Sequence, residues 1–597
     1  MTRYLGLWAE MLRFAWRRVP MAAAMMIGVC ALSVAATAGL ALSLRAVIDA
    51  SAHGTFRTAA VAALVAAVCC GVTVTFQHTV WDLLQLLTDD AGLEIRRQIT
   101  KWITGIEGLD HLERTDLLDR LDDARTRSWQ ISMSLWQLVL AVRSVLQLGV
   151  MLLVLGTVSP WLLLLLPFAA VPLWFDHRGK QWVARTEQKS TETFRLQRHL
   201  FQIGTRADTG KDVRVAGAGE ELARRQAAAW DEVAHVRHRA RVRAAGWNFG
   251  GWAIFACGFI GALALVSYQA AQGRSTTGDI VMAVTVASGL RQTAQQVVGR
   301  TASTLSTKTA MEAYLWLRQY AAAEEAARKT GKAPVPARLD TGITFEHVTY
   351  CYPGRNRRAL DDISIHIPAG TVVAVVGEYG SGKTTLVKLL AKFYQPDEGR
   401  ITVDGTDLAQ LDTTQWRART SAAFQDFGRL ETTFAEGVGL GDLPHLADRE
   451  RVARAVGDAD ATALVERLPD GIDTQLGRGL GGVDLSEGQW QRVALARSVM
   501  REDPLMFVLD EPTASLDAPS EHAIFQRQMD RAHRLADRTG AITVIVSHRF
   551  STVTGADLIL VLDRGRLVEA GTHAELSALD GGRYANLYGI QADAYST

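Results

Sequence analysis

The segment GEYGSGKTTL, residues Gly377–Leu386, places three glycines beside a lysine and two threonines. The β-branched run TVVAVV, Thr371–Val376, precedes it, and LVKLLAKFY follows with apolar residues at helical spacing. Strand, glycine-rich loop and helix in this order are the setting that the pattern GxxxxGK followed by Ser or Thr requires. The segment therefore predicts a loop that cradles the phosphates of a nucleotide.

Each residue type in this loop has a physical role. Glycines let the backbone curl so that successive N–H groups point at phosphate oxygens, and the following helix adds its positive N-terminal end. Lys383 is expected to reach the β- and γ-phosphates, and the Thr384 hydroxyl is expected to ligate Mg²⁺. The residues expected to contact the nucleotide here are Gly377, Gly380, Ser381, Gly382, Lys383, Thr384 and Thr385.

Two further apolar runs end in side chains suited to phosphate chemistry. PLMFVLDEP, Pro504–Pro512, ends in Asp510, which suits a Mg²⁺-linked role, and Glu511, which could polarise a water toward the γ-phosphate. AITVIVSHR ends near His548, at the sheet edge where ligands of open α/β sheets collect. We expect His548 to contact the γ-phosphate, although a lone histidine is usually structural.

The stretch DLSEGQWQRVALAR, Asp484–Arg497, predicts a second anion site. Ser486 with Gln489 three residues on has the form of a capping box, and an apolar helix follows. A helix N-terminus with a free hydroxyl attracts anions. Because the glycine-rich loop already holds this domain's phosphates, the spare site is expected to serve the nucleotide of another subunit.

Length and composition exclude several classes of protein. A chain of 597 residues is too long for one hydrophobic core and should form two or more domains. A net charge of +1 favours neither a nucleic-acid partner nor a disordered acidic chain. The five cysteines show no CxxC spacing and four lie in apolar runs, so they are expected to be small buried side chains.

The first half of the chain predicts a membrane domain. A hydrocarbon core of about 30 Å needs roughly 20 apolar residues as helix. The first apolar run has no small-residue cleavage site after it, which indicates a retained span. Six stretches meet or approach the required length: Pro20–Leu44, Thr58–Trp81, Ser134–Val158, Trp161–Phe175, Gly246–Ala270 and Asp279–Val298.

Basic residues predict the orientation of these spans. Lys and Arg are concentrated before the first span and in the segment Asp176–Ala245, so the N-terminus and the long segments are expected in the cytoplasm. Asp82–Met133 and Asp176–Ala245 keep helical periodicity and are expected to extend the membrane helices. The amphipathic segment Met1–Val19 is expected to lie at the membrane surface, with a disordered tail as the alternative.

Arg143 and Gln147 lie one helical turn apart inside the third span. A charge at mid-bilayer is costly, so it normally faces a cavity or a partner. The pair either lines a substrate path or is structural, and the sequence leaves both open.

Residues Ala323–Thr341 are charged, Ala-rich and then broken by prolines, which indicates a linker. The sequence therefore predicts a multidomain fold. A helical transmembrane domain over 1–322 carries six spans and two long cytoplasmic segments. After the linker 323–341, an α/β P-loop domain occupies 342–597.

The motifs GEYGSGKTT, LSEGQ, LMFVLDE, SLD and SH, in this order, resemble the nucleotide-binding domain of ATP-binding cassette (ABC) transporters. The resemblance covers residues 342 to about 585. Six preceding spans with long extensions resemble the exporter-type half-transporter, so the resemblance covers nearly the whole chain.

The resemblance assigns roles to individual residues. Tyr352 matches the aromatic residue that stacks on adenine, and Gln425 matches the glutamine that senses Mg²⁺ and contacts the membrane domain. Asp517 matches the loop that couples two sites. Glu511 matches the catalytic base, and His548 matches the switch histidine.

The resemblance also implies a dimer in which two nucleotide-binding domains pair head to tail. The signature residues Ser486, Gly488 and Gln489 of one copy would face the ATP held by the other. A homodimer is favoured, and pairing with a different half-transporter stays open. Asp110–Asp119 and Gly210–Gly217 match the two cytoplasmic coupling segments of the family, which are helices that press on these domains. The resemblance also implies that the α/β P-loop domain carries a helical subdomain.

Two residues depart from the family pattern. Glu487 stands where a glycine is usual and is expected to point aside, so that activity survives. Arg478 stands where exporters usually carry a glutamate, which puts the cross-talk with the coupling helices in doubt.

The function implied is ATP-driven export across the bacterial cytoplasmic membrane, with ATP and Mg²⁺ as cofactors and the nucleotide-binding domain in the cytoplasm. A peptide, a drug or a lipid could be the substrate, and the strings LSEGQWQRVALAR and KDVRVAG favour a peptide. The alternatives are an ATP-gated channel or sensor subunit, and an importer built on exporter architecture. No nucleic acid is expected as a partner.

Overall fold

The computed structural model describes residues 2–189, 191–206, 209–328, 333–354, 357–512, 518–547 and 553–596. The chain forms two compact units. The first consists of Met1–Thr100 and Asp122–Leu315, and the second of Lys101–Leu121 and Trp316–Thr597.

Before the linker, the regular secondary structure of the described residues consists of helices. A short 3-10 turn at Pro160–Leu164 precedes α7. The helices are α1 (Thr2–Arg18), α2 (Pro20–Ala52), α3 (Phe56–Gly105), α4 (Asp110–Glu113), α5 (Thr115–Thr126), α6 (Ser128–Val158), α7 (Leu165–Lys189), α8 (Thr191–Thr205), α9 (Gly210–Val215), α10 (Gly219–Ala271), α11 (Thr277–Ser306) and α12 (Lys308–Arg328).

All six predicted spans lie in helical segments. In the described part of the chain, five segments are long and apolar enough to cross a membrane, with apolar windows of mean hydropathy between 1.3 and 2.3. They correspond to α2, α3, α6, the turn with α7, and α10. The sixth predicted span lies in α11, whose Thr, Gln, Asp and Arg side chains make it more polar.

Helices α3 and α10 are far longer than a bilayer requires. They contain 50 and 53 residues, so each extends about 75–80 Å at 1.5 Å per residue. A span of about 30 Å leaves more than half of each helix outside the hydrocarbon. The predicted helical extensions of the membrane domain are therefore present.

The membrane helices pack around an apolar cluster. Leu155 and Met151 of α6 meet Phe255 of α10 and Met282 of α11, and Leu162 of the 3-10 turn joins them. Helix α1 packs on this unit by one face: Leu7, Met11 and Ala15 are buried. The indole Nε1 of Trp8 donates a 3.1 Å hydrogen bond to Ser134 Oγ of α6.

The second unit contains two sheets. One is antiparallel in the order β2-β1-β4-β5, and the other has six strands in the order β10-β9-β3-β8-β7-β6. The strands are β1 (Gly342–Cys351), β2 (Arg358–Pro368), β3 (Val372–Val376), β4 (Glu398–Val403), β5 (Thr406–Asp407), β6 (Thr420–Ala423), β7 (Met506–Asp510), β8 (Ile542–Val546), β9 (Leu558–Asp563) and β10 (Arg566–Gly571).

Parallel pairing in the larger sheet brings three strand ends together. Strand β8 lies between β3 and β7, and all three run in the same direction. Val546 pairs with Val375 on one side and Asp510 on the other. The loop after β3 and the acidic residues Asp510 and Glu511 at the end of β7 therefore lie at one edge of the sheet, as the sequence predicts.

Apolar side chains cover both faces of this sheet. Val372, Ala374 and Val376 of β3 pack into one core, whereas Val373 and Val375 pack into the other. The first core includes the predicted helical subdomain, and the second lies against the antiparallel sheet. The helices of this unit after the linker are α13 (Lys383–Leu390), α14 (Thr413–Ala418), α15 (Phe434–Gly439), α16 (Arg449–Asp458), α17 (Thr462–Glu466), α18 (Glu487–Ser498), α19 (Ala518–Thr539), α20 (His573–Ser577) and α21 (Arg583–Ser596).

The segment Lys101–Leu121 packs within the second unit, although the sequence places it between two membrane helices. Lys388 Nζ of α13 donates a 2.8 Å hydrogen bond to Glu113 Oε1, and the Tyr394 hydroxyl donates to the other oxygen of that carboxylate. Arg417 Nη2 donates to the Glu107 carbonyl at 2.8 Å. The coupling role of residues 110–119 stays a prediction.

Asp404 anchors the end of the linker to the first strand. Its carboxylate accepts hydrogen bonds from the backbone N–H groups of Asp340, Thr341 and Gly342, at 2.8 to 3.1 Å, and from the Thr341 hydroxyl. Burial by itself would raise the pKa of Asp404, but these hydrogen bonds hold it below its usual value.

We predict that Asp404→Ala loosens this junction. Trypsin cleavage after Arg338 should accelerate about tenfold, because the lost hydrogen bonds stabilise the closed junction by roughly 1–3 kcal/mol. Because the folded pKa is depressed, the stabilisation is present at neutral pH and is lost as the pH falls below about 4. Asp407→Ala, which removes one capping hydrogen bond in the same hairpin, is the control. Equal cleavage rates in both variants would contradict the anchoring role.

Candidate nucleotide-binding site

The glycine-rich loop adopts a backbone that only glycine accommodates at two positions. Gly377 has φ of 150° and Gly382 has φ of 107°. A Cβ atom on Gly377 would lie 2.2 Å from the Leu562 carbonyl oxygen, and one on Gly382 would lie 2.6 Å from that of Ala359. The loop therefore packs backbone against backbone before it enters α13 at Lys383.

Lys383 folds back over the loop that precedes it. Its Nζ donates hydrogen bonds to the carbonyls of Gly377 at 2.8 Å and Glu378 at 2.9 Å. Burial lowers the pKa of Lys383, and the carboxylates of Glu511 and Asp510 oppose this effect. A desolvated ammonium held over the loop is suited to binding a polyphosphate.

Asp510 is suited to act as a ligand for a metal ion. Its side chain is only 1 % exposed at the end of β7, and neither carboxylate oxygen has a hydrogen-bond partner among the described residues. Burial, followed by the charge of Glu511, raises the pKa of Asp510 to about 6. A buried unpaired carboxylate is costly, and a divalent cation would satisfy it. Thr384, in the first turn of α13, supplies a hydroxyl of the kind that joins such a site.

Glu511 is held at the mouth of the site by two glutamines. Its backbone lies in the left-handed region, with φ of 49°. Gln425 Nε2 donates to its Oε2 at 2.9 Å, and Gln491 Nε2, from α18, donates to its carbonyl at 3.1 Å. Its N–H donates to the Val546 carbonyl at 2.9 Å. The carboxylate is thus oriented while remaining part of the cavity wall.

These elements enclose a cavity of about 670 Å³. The volume suits a ligand of nucleotide size. Its walls are Tyr352, Arg357, Arg358, Ala359, Gly377, Tyr379, Gly380, Ser381, Gly382, Lys383, Thr384, Thr385, Gln425, Glu511 and Val546.

Tyr352 closes one end of this cavity. Its ring packs edge-on against Tyr350 and Tyr394, with centroids 5.1 and 5.5 Å away, and its hydroxyl shares a 3.2 Å hydrogen bond with Thr385 Oγ1. An aromatic ring fixed in this way can offer a flat surface to a nucleobase. Stacking on adenine stays a prediction.

The predicted capping box at the start of α18 is confirmed. Ser486 Oγ accepts from the Gln489 N–H, and Gln489 Oε1 accepts from the Ser486 N–H. Ser486 is exposed and does not line the cavity that contains Lys383. The two predicted anion sites of this chain are therefore separate features of its surface.

The structure brings most of the predicted site residues together. The glycine-rich loop, Tyr352, Gln425 and Glu511 line one cavity, with Asp510 buried behind it. Ser486, Gly488 and Gln489 form the separate helix start. His548 and Asp517 lie outside the described residues.

Four further residues belong to the site, although the sequence alone assigns them no role. Arg357, Arg358 and Tyr379 line the cavity, and Gln491 positions Glu511. Tyr379 lies within the loop motif at a variable position and is fully exposed. Gln491 lies two residues after Gln489, the last residue of the LSEGQ signature. It is buried, and its contact with the Glu511 carbonyl is visible only in the structure.

Comparison with known proteins agrees with this geometry. Residues 360–514 match the family described as "ABC transporter". An "ATP-dependent lipid A-core flippase" of Ralstonia nicotianae is 45 % identical over 251 residues, which are 42 % of this chain and 40 % of the relative. A flippase of the same name from Pseudomonas fluorescens strain Pf0-1 is 36 % identical over 323 residues, 54 % of this chain and 51 % of the relative. The chain thus spans about half the length of the curated relatives it matches.

Nearly the entire chain resembles a solved ABC exporter structure. That structure is described as a bacterial Atm1-family ABC exporter with ATP bound. The TM-score is 0.75 at 26 % sequence identity, and the match covers 96 % of this chain and 99 % of the other. The chain is a multi-pass membrane protein with a cytoplasmic nucleotide-binding domain. Residues 360–514 carry the ABC transporter domain, and the whole chain has the architecture of an ABC half-transporter, with its helical membrane domain fused to one such domain.

Proposed function

We propose that this chain is an ATPase that drives the export of a lipid substrate across a membrane and acts as a dimer. The observation that carries the ATPase assignment is the arrangement around Asp510 and Glu511. A buried carboxylate that needs a cation lies beside a positioned carboxylate, and both flank a phosphate loop at one sheet edge.

Each group has a defined task in hydrolysis. The loop N–H groups and Lys383 bind the phosphates, and Asp510 and Thr384 would hold a Mg²⁺ ion. Mg²⁺, when bound, neutralises charge that develops on the phosphate oxygens. Glu511, oriented by Gln425, polarises the attacking water.

The separate position of Ser486 supports the dimer. The signature helix start of one copy is proposed to complete the phosphate site of its partner, so that two ATP molecules lie between two domains. Moving a conformational equilibrium from 1:99 to 99:1 takes roughly 5.5 kcal/mol of differential binding. Phosphate contacts from both copies can supply this, and hydrolysis removes them. All catalytic positions are present in one sequence, which favours a homodimer over a heterodimer.

A polar cavity inside the membrane domain supports an amphipathic substrate. It measures about 470 Å³ and includes Arg143, Gln147 and Arg300 in its walls. Arg143 is 8 % exposed; its Nε donates to Ser33 Oγ at 2.9 Å, and its guanidinium lies 4.0 Å from the Phe76 ring centroid. A buried cation in a lipid-embedded bundle suits an anionic headgroup, with the acyl chains left to the apolar surroundings.

The relatives favour a lipid over the peptide that the sequence strings suggested. Both relatives described above are named lipid A-core flippases. Arg143 and Gln147, which the sequence left as either path-lining or structural, both line the membrane cavity. A phosphate-bearing lipid is therefore the substrate class that we propose.

The Glu511→Gln variant tests the catalytic assignment. We expect ATP binding to persist and turnover to fall at least about 100-fold, because a positioned general base contributes a factor of roughly 10² to 10⁴. Steady-state phosphate release and binding of a fluorescent ATP analogue measure the two properties. Glu466→Gln, an exposed substitution in the helical subdomain, should leave both unchanged. Undiminished hydrolysis in Glu511→Gln would refute the proposed role.

The Arg143→Gln variant tests the substrate class. In nanodiscs, we expect the lipid A concentration that gives half-maximal ATPase stimulation to rise about tenfold, since a hydrogen bond between charged groups contributes roughly 1.5–3 kcal/mol. Arg274→Gln, which changes an exposed arginine in the loop before α11, is the matched control.

Uptake of labelled lipid A into inverted vesicles would separate a transporter from an ATP-gated channel. Stimulation of the wild-type ATPase by peptides but not by lipid A would overturn the lipid assignment.

A further inference from the structure

The signature helix, α18 (Glu487–Ser498), has two acidic residues close to its first turn. Asp484 precedes Ser486 by two residues, and Glu487, the first residue of α18, follows it directly. A carboxylate at a helix N-terminus is stabilised by the helix dipole. For the same reason it competes with any phosphate that the same helix end is meant to bind. Two negative charges therefore flank the serine that is proposed to face ATP.

Each of these carboxylates has an arginine partner from another segment. Arg429 Nη2 donates to Glu487 Oε2, and Arg478 Nε lies 3.1 Å from Asp484 Oδ2. Glu487 is thus paired with Arg429, and Arg478, the other departure from the family pattern, pairs with Asp484. The sequence positions that break the family pattern, Glu487 and Arg478, belong to two neighbouring ion pairs.

Neither ion pair is placed to stabilise the fold strongly. The side chains of Arg429 and Glu487 are 55 % and 52 % exposed, and those of Arg478 and Asp484 are 83 % and 45 % exposed. Ion pairs at such positions contribute between zero and about 1 kcal/mol to stability. Their charges, by contrast, act on an incoming anion over a Debye length of roughly 8 Å at physiological ionic strength.

We propose that Arg429 is a positioning residue that neutralises Glu487, and so opens the start of α18 to the triphosphate of the partner copy's ATP; Arg478 does the same for Asp484. This inference rests on the proposed function, in which Ser486 faces the nucleotide of a second copy. Without Arg429, the carboxylate at the first helical residue repels the phosphates and cancels the attraction of the helix dipole.

Arg429 lies in a segment that also contacts the catalytic carboxylate. It lies four residues after Gln425, whose amide donates to the Glu511 carboxylate. Arg497 of α18 donates to the Gly428 carbonyl in the same segment, at 3.3 Å. The segment from Gln425 to Arg429 therefore contacts the hydrolytic carboxylate at one end and sets the charge of the signature helix at the other.

The test is the set Arg429→Gln, Glu487→Gln and the double variant, assayed for ATP hydrolysis in the full-length protein. In Arg429→Gln, we expect the KM for MgATP to rise about fivefold and kcat to change less than twofold. A fivefold change is the size expected from one exposed charge close to a phosphate. The double variant should recover the wild-type KM. The KM difference between Arg429→Gln and the wild type should also shrink as salt increases from 0.05 to about 0.5 M, because of screening.

The matched control is Arg449→Gln, which breaks an equally exposed ion pair, with Asp473, in the same subdomain. It should leave KM unchanged. Glu487→Gln alone removes the negative charge and retains Arg429 beside the start of α18, so it should lower the KM about twofold. This variant tests the proposal even if Arg429→Gln folds poorly.

A KM in Arg429→Gln equal to that of the wild type, or a double variant that keeps the raised KM, would overturn the inference. Either result would leave the ATPase itself intact. Loss of ATP-dependent association between wild-type copies would instead overturn the proposed dimer, so the two failures are distinguishable.

Discussion

The Asp510 carboxylate is buried and has no hydrogen-bond partner among the residues that the structure describes, and the nucleotide site depends on this constraint. Strand β7 lies between β6 and β8, so its last residue is enclosed by the sheet and by the cores on both faces. An unpaired carboxylate there is costly until it meets a cation. The parallel direction of β3, β8 and β7 then puts the phosphate loop at the same edge. Asp510 is therefore both the buried end of a central strand and the proposed cation ligand beside the phosphate loop.

Local patterns made much of the molecule predictable from sequence. Glycines at residues 377 and 382 signalled a loop whose φ values exclude other residues, and Ser486 with Gln489 signalled a capping box. Apolar run length located the membrane helices. These features depend on neighbours within a few residues, which is why one sequence suffices to find them.

Contacts between distant segments were not predictable in this way. Gln491 reaches the Glu511 carbonyl, Arg429 reaches Glu487, and Glu113 binds Lys388 across 275 positions of sequence. No periodicity or motif encodes such pairs, because they arise only once the strands and helices have packed. The membrane cavity is a similar case: Arg143 stood out as a charge in an apolar run, but its partners Ser33 and Phe76 lie on other helices.

In the proposed dimer, one copy's phosphate loop and another copy's signature helix enclose ATP between them. This arrangement can be tested by disulfide formation between Tyr379→Cys in one copy and Ser486→Cys in another, in a background free of other cysteines, because both positions are exposed. We expect a covalent dimer that forms rapidly with a non-hydrolysable ATP analogue and slowly without it. Cross-linking that is absent with the analogue, or that is equal with and without it, would rule out the proposed dimer.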